Sequence, residues 1–252
     1  MKKTSSDVGL NRTGIQTSPI DSKEAIEGAK AGLPSSVGTE AAILEMRAIY
    51  ARESDNLGTV PVPATFKGMF TTAKEMLKGN KPTVFIDKLG ERLGFERTGV
   101  RLYEAALGKF DVHGTWAGGP SRDQLEKILS DELSHFVLVR AAMEKLGADP
   151  TALTPSADLV SVASMGIPQV LQDPRTNLVQ CLEALMMAEL TDNAGWELLI
   201  ELAQGLGQVE LAEQFEAALG VEAEHLMLVR RWLIAGVSGE AGVREEAGIP
   251  AV

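Results

Sequence analysis

Two short motifs in this sequence place a glutamate three residues before a histidine: Glu132 with His135, and Glu222 with His225. Both motifs lie inside apolar runs, where an unpaired carboxylate and imidazole are costly to remove from water. In a helix, positions i and i+3 lie on the same face, so each motif can present a carboxylate oxygen and an imidazole nitrogen to one point. This spacing indicates a metal site.

Two more glutamates, Glu96 and Glu189, lie near the middle of two further apolar stripes. The complete set would carry four negative charges, which two divalent cations would balance. A mixture of carboxylate oxygens and imidazole nitrogens suits iron or manganese rather than a metal that prefers thiolates. The predicted ligands are Glu96, Glu132, His135, Glu189, Glu222 and His225.

A metal-free interpretation stays open, in which the glutamates and histidines form a buried hydrogen-bonded network in a protein that is not an enzyme. His113 has no glutamate partner and is predicted to be a loop residue. Six other glutamates fall off the apolar stripes and are expected to be solvated: Glu91, Glu104, Glu183, Glu197, Glu201 and Glu224.

Apolar residues at heptad-like spacing predict four long amphipathic helices that would position these side chains. The helices cover about residues 83–109, 121–146, 174–204 and 208–235. Ser121, with Gln124 three residues on, predicts a capping box at the start of the second helix. Asp173 is predicted to cap the third helix, because a proline follows it at the first helical position.

The connections predict the topology. Short loops join the first helix to the second and the third to the fourth, which predicts two antiparallel hairpins. About 27 residues lie between the hairpins, and a helix of ~26 residues is only ~39 Å long, so this connection can run the full helix length. The prediction is an all-α, ferritin-like four-helix bundle with an up-down, long crossover, up-down order.

The first 80 residues differ in character. Residues 1–38 are rich in Ser, Thr, Gly and Pro, which predicts an extended arm with one helical turn at DSKEAIEGAK. Short helices are predicted at about 39–53 and 65–78. The expected domains are residues 1–80, an arm and extra helices, and residues 81–252, the bundle. The arm is expected to pack on the bundle or on a partner subunit.

Composition limits the class of protein. The chain has 252 residues, 44% of them hydrophobic and 23% charged, which is typical of a globular protein with a sizeable core. A net charge of −11 argues against nucleic acid or a membrane surface as partner. The single cysteine, Cys181, excludes an internal disulfide and a CxxC metal site, and a cytoplasmic location is expected.

Three segments resemble the rubrerythrins of the ferritin-like superfamily. MMAELTDNAGWELL and FEAALGVEAEHLMLVRRWL are similar to the second half of a rubrerythrin, and GFERTGVRLYEA resembles its first helix. The resemblance covers about residues 83–235. It implies that Glu132 and Glu222 are bridging carboxylates, that Glu96 and Glu189 are terminal ones, and that each metal has one histidine, His135 or His225.

Two further residues follow from this resemblance. Tyr103, seven residues after Glu96, matches a rubrerythrin tyrosine and is expected to be a hydrogen-bond donor or a one-electron relay beside the site; simple core packing is the alternative. Asp192, three residues after Glu189, matches an extra acid that is Glu in rubrerythrins. It is either a metal ligand or an acceptor just outside the ligand set.

The expected function is that of a di-iron oxidoreductase that reacts with peroxide or dioxygen, as in the oxidative-stress chemistry of rubrerythrins. The chain lacks the four cysteines of a rubredoxin site, so an unidentified electron donor is required. The alternatives are a ferroxidase or iron-storage protein, a dimanganese catalase, and a non-catalytic metal-binding bundle. A homodimer is one of the oligomeric states left open.

Overall fold

The computed structural model describes residues 18–32, 38–62 and 81–243. Within these residues the regular elements are eight α-helices, without a strand. The predicted all-α class is therefore confirmed for the described part of the chain. The chain divides into two compact units, residues 1–56 and 57–252, and each is described by itself.

The described part of the first unit forms two helices, α1 (Pro19–Ala31) and α2 (Glu40–Glu53). Thr39 caps α2, because its Oγ1 accepts a hydrogen bond from Ala42 N at 3.2 Å. No residue within either helix is buried. The prediction of a helix at about 39–53 is confirmed, and α1 is longer than the single turn that was predicted.

The helix predicted at about 65–78 and most of the predicted arm lie outside the described residues. Packing of the arm on the bundle or on a partner subunit stays a prediction.

The second unit contains α3 (Pro82–His113), α4 (Arg122–Lys145), α5 (Pro155–Ala163), α6 (Gly166–Gln172), α7 (Leu178–Gly205) and α8 (Val209–Glu240). The long helices α3, α4, α7 and α8 correspond to the four that apolar periodicity predicts. The predicted capping box at α4 is present: Ser121 Oγ accepts from Gln124 N at 3.2 Å, and Gln124 Oε1 accepts from Ser121 N at 2.9 Å. Among the described helices, none combines the length and apolar content needed to cross a membrane.

The predicted start of the third long helix at Asp173 is wrong. Helix α7 begins after Asn177, whose Oδ1 accepts from Gln180 N at 2.9 Å while Gln180 Oε1 accepts from Asn177 N at 3.0 Å. Asp173 Oδ1 instead accepts hydrogen bonds from the backbone N and the Nε of Arg175, both at 2.9 Å. Because this local turn uses the Asp173 carboxylate, capping passes to the next suitable side chain, Asn177.

Ion pairs between helix ends give the directions of the long helices. The start of α4 meets the end of α3 through Arg122 and Asp111. The end of α4 meets the start of α8 through Lys145 Nζ and Glu210 Oε2, 2.6 Å apart. Since only residues 206–208 separate α7 from α8, those two helices are antiparallel as well. Helices α4 and α7 therefore run parallel, as predicted for helices joined by a long crossover.

The crossover is folded onto the long helices. Helix α5 packs on α3, and Ser156 donates from its backbone N and its Oγ to the Asp87 carboxylate at 2.9 and 2.7 Å. Thr154 Oγ1 adds a hydrogen bond to Asp87 O at 3.1 Å. Helix α6 contacts α3 and α7. The two short helices thus cover these two long helices.

The interior between the long helices has two apolar layers. One layer includes Trp196 and the start of α3, and the other includes Tyr103, Trp232 and the start of α7. Trp196 and Trp232 are fully buried and are core residues of their layers. On α4, α7 and α8 the acidic and imidazole residues lie between the parts of the helix that enter the two layers. Apolar side chains therefore separate these polar residues from water along the helix axes.

Candidate metal centre

Acidic and imidazole side chains from all four long helices meet in one cluster between the apolar layers. We call this cluster the polar layer: Glu96 from α3, Glu132 and His135 from α4, Glu189 and Asp192 from α7, and Glu222 and His225 from α8. The five acids are at most 3% exposed and the two histidines at most 6%. Such groups are rarely buried together unless charge or hydrogen bonding compensates them.

Glu222 lies between the two histidines. Its Oε1 is 2.5 Å from His135 Nδ1, and its Oε2 is 3.1 Å from His225 Nδ1. Burial alone would raise the pKa of Glu222, but the contacts with the two imidazoles lower it to about 2. Burial likewise works against a charged His225, yet contact with Glu222 raises the pKa of that imidazole to about 9. In both histidines the Nδ1 atom faces the cluster.

The possible ligand atoms form three overlapping groups, and within each group the atoms lie within 4.8 Å of one another. The first group is Glu96, His135 and Glu222, and the second is Glu132, His225 and Glu222. The third consists of Glu96, Glu132, Asp192 and Glu222. Glu222 belongs to all three, so two histidine-containing groups share one carboxylate. This is the arrangement that two neighbouring metal ions with a common bridging ligand require.

Glu189 lies in the polar layer but in none of these three groups. Its Oε1 accepts a hydrogen bond from the hydroxyl of Tyr103, which is itself 1% exposed. Burial raises the pKa of Glu189 to about 8, and the repulsion of Glu222 adds to this effect. Burial and the neighbouring carboxylates also raise the pKa of Tyr103 well above its ordinary value, so the phenol keeps its proton. The structure thus places Tyr103 against a predicted ligand.

Asp192 has a partner that the sequence interpretation missed. Arg92, one helical turn before Glu96, pairs with the Asp192 carboxylate through Nη1 and donates from the same atom to Asp192 O at 2.8 Å. Arg92 Nε is also 3.2 Å from Glu96 Oε1. Burial raises the pKa of Asp192 to about 7 even though Arg92 opposes the rise. A signal was present in the sequence, because the position three after Leu89 and four before Glu96 falls on the interior face of α3.

Gly99 gives the Glu132 carboxylate its space. A Cβ at position 99 would overlap Glu132 Oε2. Burial and neighbouring carboxylates raise the pKa of both Glu132 and Glu96 well above the ordinary value. Gly94, on the same helix, has nothing within 4 Å of the corresponding Cβ position. The close approach at Gly99 is therefore not shared by Gly94, whereas a Cβ at Gly90 would approach Thr154 and not the polar layer.

The two histidines have different supports on their outer sides. His225 Nε2 lies 3.2 Å from Asp131 Oδ2, so one carboxylate can fix the orientation of this ring. The ring of His135 instead packs edge-on against Trp196, with 5.5 Å between ring centres. The sequence interpretation missed Asp131, although it directly precedes Glu132.

The residues set aside in the sequence lie away from the polar layer. Among the glutamates that fall off the stripes, Glu104, Glu183, Glu197, Glu201 and Glu224 are exposed, and Glu91 is half-buried, with Oε2 2.5 Å from Lys88 Nζ. His113 is exposed too, but it is the last residue of α3 and not a loop residue. The helix continues past its predicted end near residue 109 until Gly114, which has a positive φ of 68°.

Within the described part of the chain, several buried carboxylate oxygens of the polar layer lack a hydrogen-bond donor. Glu132 Oε2 and Glu189 Oε2 are buried and accept no hydrogen bond from any described residue. Neither oxygen of Glu96 accepts one with good geometry. Buried carboxylate oxygens without donors are costly, and divalent cations would compensate them. Carboxylates with imidazoles also match the ligands preferred by iron and manganese, so the residues fit these metals.

Comparison of the chain with known protein families, with curated proteins and with solved structures returned no match.

Proposed function

We propose that this protein is a di-iron carboxylate oxidoreductase of the ferritin-like, rubrerythrin-like type, which reacts with peroxide or dioxygen. One observation carries the proposal: two groups, each with a glutamate and a histidine, share the buried Glu222. Two features support it. The long helices form two antiparallel pairs, α3 with α4 and α7 with α8, joined by a long crossover, and the sequence resembles rubrerythrins over about residues 83–235. Manganese is the alternative metal, because it accepts the same donors.

In this proposal His135 and Glu96 would hold one metal ion, and His225 would hold the other. Glu222, whose oxygens each face one imidazole, and Glu132 would be the carboxylates that the two ions share. Glu189 is a terminal ligand whose free Oε2 is available for a metal. Bound iron would supply Lewis acidity and the electrons that reduce an O–O bond.

Tyr103 has two tasks in the proposed reaction. Its hydroxyl holds Glu189 Oε1 by a hydrogen bond, which leaves the other carboxylate oxygen, Oε2, without a hydrogen-bond donor among the described residues and free for a metal ion. The same O–H group keeps its proton, because its pKa is raised, so it can release that proton only together with an electron, as a one-electron relay. A substitution by phenylalanine would keep the packing and remove both tasks.

The surroundings favour a very small substrate. The apolar layers on both sides of the polar layer exclude bulk water. The seven residues of the polar layer are themselves at most 6% exposed, so only a small molecule can reach them without a rearrangement of the helices. This burial favours peroxide or dioxygen over an organic substrate.

Metal content and single-turnover kinetics test the proposal. Protein prepared without oxygen should bind two ferrous ions per chain, and anomalous scattering at the iron and manganese edges should place both beside Glu222. One equivalent of peroxide should then oxidise both ions in a single phase. Purified and reconstituted protein that holds no iron or manganese would rule out the function.

The same preparation separates the alternatives. Manganese in the native protein, with peroxide converted to oxygen and water, would indicate a dimanganese catalase. A closed shell of many subunits in size-exclusion chromatography would indicate iron storage. Metal bound without any reaction with peroxide or dioxygen would leave a non-catalytic metal-binding bundle.

A further inference from the structure

Arg92 brings a permanent positive charge into the polar layer. Its side chain is 4% exposed, and its guanidinium carbon lies 4.5 Å from the centre of the Phe95 ring and 6.0 Å from that of Trp196. A guanidinium does not lose its proton in proteins. Burying such a charge is strongly unfavourable unless a partner of opposite charge is placed against it. The polar layer must therefore contain a dedicated counter-ion.

Asp192 occupies the counter-ion position. Arg92 Nη1 contacts both the Asp192 carboxylate and, at 2.8 Å, the Asp192 carbonyl oxygen. These two contacts place Nη1 between the carboxylate and the carbonyl oxygen of one residue. The remaining contact is an ion pair between Arg92 Nε and Glu96 Oε1, 3.2 Å apart and without hydrogen-bond geometry, which keeps the Glu96 carboxylate beside the guanidinium.

Helix α7 is shaped to receive this guanidinium. A Cβ at position 195 would lie 2.5 Å from Arg92 Nη1 and 3.1 Å from Arg92 Cζ. Gly195 is three residues after Asp192, so the space for the guanidinium and its counter-ion lie on the same face of α7. A glycine inside a long helix costs stability relative to alanine, and here it makes room for one particular side chain.

The charges of the polar layer balance only when Arg92 is included. Glu96, Glu132, Glu189, Asp192 and Glu222 carry five negative charges when all are ionised. One guanidinium reduces the net charge to minus four, which two divalent cations neutralise. With five carboxylates and no arginine, two such cations would leave one buried negative charge uncompensated.

We propose that Arg92 and Asp192 form one positioning unit: Asp192 is the counter-ion of Arg92 and not a metal ligand, and Arg92 holds Glu96 in place for the metal. The part that concerns metal rests on the function proposed above. Asp192, which matches the extra glutamate of rubrerythrins, is then not a metal ligand. This leaves four carboxylates and two histidines for two metals.

The test compares D192N with the double variant R92M/D192N. In D192N the guanidinium has lost its counter-ion and repels the metals, so the second Mn²⁺ should bind at least about tenfold more weakly than in the wild type. Removing the arginine as well restores the charge of minus four. The double variant should therefore bind two Mn²⁺ with affinities within about threefold of the wild type.

Anaerobic titration with Mn²⁺, followed by electron paramagnetic resonance, measures both binding steps. A double variant that binds the second Mn²⁺ no better than D192N would overturn the proposal, because a lost ligand cannot be restored by deleting an arginine. Arg97→Met is the matched control, since Arg97 lies five residues after Arg92 on the same helix and is exposed. This variant should bind Mn²⁺ as the wild type does.

A crystal structure of the Mn²⁺-loaded wild-type protein gives a second test that needs no variant to fold. Both carboxylate oxygens of Asp192 should lie beyond the ~2.6 Å limit of metal–oxygen bonds from either ion. Either oxygen within that distance would make Asp192 a ligand and end the proposal.

Failure of the proposed function gives a different result. If the wild-type protein binds neither manganese nor iron, the function is wrong, and unfolding by urea in the presence of chelator decides on the pair alone. The double variant R92M/D192N should then be more stable than the summed effects of R92M and D192N predict. Its unfolding equilibrium constant should be at least about fivefold smaller than that sum gives. Additive effects would show that Arg92 and Asp192 do not act as a unit.

Discussion

The polar layer has two halves that share Glu222 but are held by different forces. In the His135 half, Glu96 contacts the Arg92 guanidinium, and the His135 ring packs against Trp196. In the His225 half, the imidazole contacts Asp131, and Glu132 fits against Gly99. The two Glu-x-x-His motifs are therefore held differently. A guanidinium and an aromatic ring support the side chains of the His135 half, and a carboxylate and the open space at a glycine support those of the His225 half.

This difference teaches that the motif alone does not determine how its residues are held. A ligand's position depends on the atoms behind it, and those atoms come from other helices. The two halves should thus fail independently when their supports are changed and together when their shared residue is changed. Residues shared by both halves should therefore have larger effects when changed than residues that support only one half.

Glu222→Gln should have the largest effect, because it removes the charge that faces both imidazoles. We expect a loss of more than about 100-fold in the affinity for both metals, beyond what loss of an outer support causes. Peroxide-dependent oxidation of ferrous iron should be lost with them. Glu224→Gln, two residues further on and exposed, is the control and should bind metal normally. Normal binding of one metal by the Glu222 variant would mean that the halves do not share this residue.

The histidine variants test whether the halves react as one unit. His135→Ala and His225→Ala should each remove far more than half of the single-turnover activity, because two-electron reduction of an O–O bond requires both metals. The double variant should lose little more than either single variant, as expected for groups that act together.

His113→Ala is the control, since His113 is exposed at the end of α3, and it should react like the wild type. Two single variants with half of the activity each, and a double variant with none, would mean that the metals work separately.

Gly99→Ala should damage the His225 half through its glycine. The new methyl group would occupy the space of Glu132 Oε2, so the carboxylate must move away. We expect at least about tenfold weaker binding of one metal, as for other changes that displace a ligand. At position 94 of the same helix an added methyl group meets open space. Gly94→Ala should therefore stabilise α3 by up to about 1 kcal/mol. Equal metal affinities for the two alanine variants would show that Gly99 does not matter for Glu132.

Much of this arrangement is readable from sequence. The 3.6-residue period indicated the four long helices, and the polar interruptions of the apolar stripes indicated six residues of the polar layer. Arg92 escaped because an arginine four residues before a glutamate usually forms a surface pair, although its place on the stripe pointed inward. Asp131 escaped because it lies next to Glu132, about 100° around the helix, and its contact with His225 requires a second helix.

Local competition explains the wrong helix start. Both Asp173 and Asn177 can cap a helix, and the preference for proline at the first helical position favoured Asp173. The outcome depended on Arg175, which binds the Asp173 carboxylate in a tight turn. Which of two neighbouring caps is used is a difference of about 1 kcal/mol, so single side-chain contacts decide it.

Metal removal should make stability depend on pH, because the carboxylates and imidazoles of the polar layer are then free to bind protons. In the metal-free fold, the pKa of Glu189 is about 8 and that of Asp192 about 7, against ordinary values of 4.5 and 3.8. The pKa of His225 is about 9 against 6.5. All three groups bind protons more tightly when folded, so stability must fall as pH rises from about 5 to 9.

The pKa of Glu222 is shifted in the opposite direction, to about 2 from an ordinary value of 4.5. Its stabilising contribution is fully present above about pH 4.5, so it does not change between about pH 5 and about pH 9. Metal binding displaces the extra protons and becomes stronger with pH. The difference in melting temperature between iron-loaded and chelated protein should therefore widen between about pH 5.5 and about pH 8.5. Parallel melting curves across this range would contradict the prediction.

Asp131→Asn should have the smallest effect and should separate the halves most sharply. The amide keeps the shape but removes the negative charge 3.2 Å from His225 Nε2, so the ring loses part of its orientation and basicity. Loss of such an outer partner should cost no more than about tenfold in metal affinity here, the lower end of what such changes cost, and only the metal at His225 should be affected. In a stepwise Mn²⁺ titration one binding step should weaken while the other stays at its wild-type value. Asp123→Asn, an exposed change on the same helix, should leave both steps unchanged. If both steps weakened equally in Asp131→Asn, the two halves would share their supports, and the division between a charge-held and a packing-held histidine would be wrong.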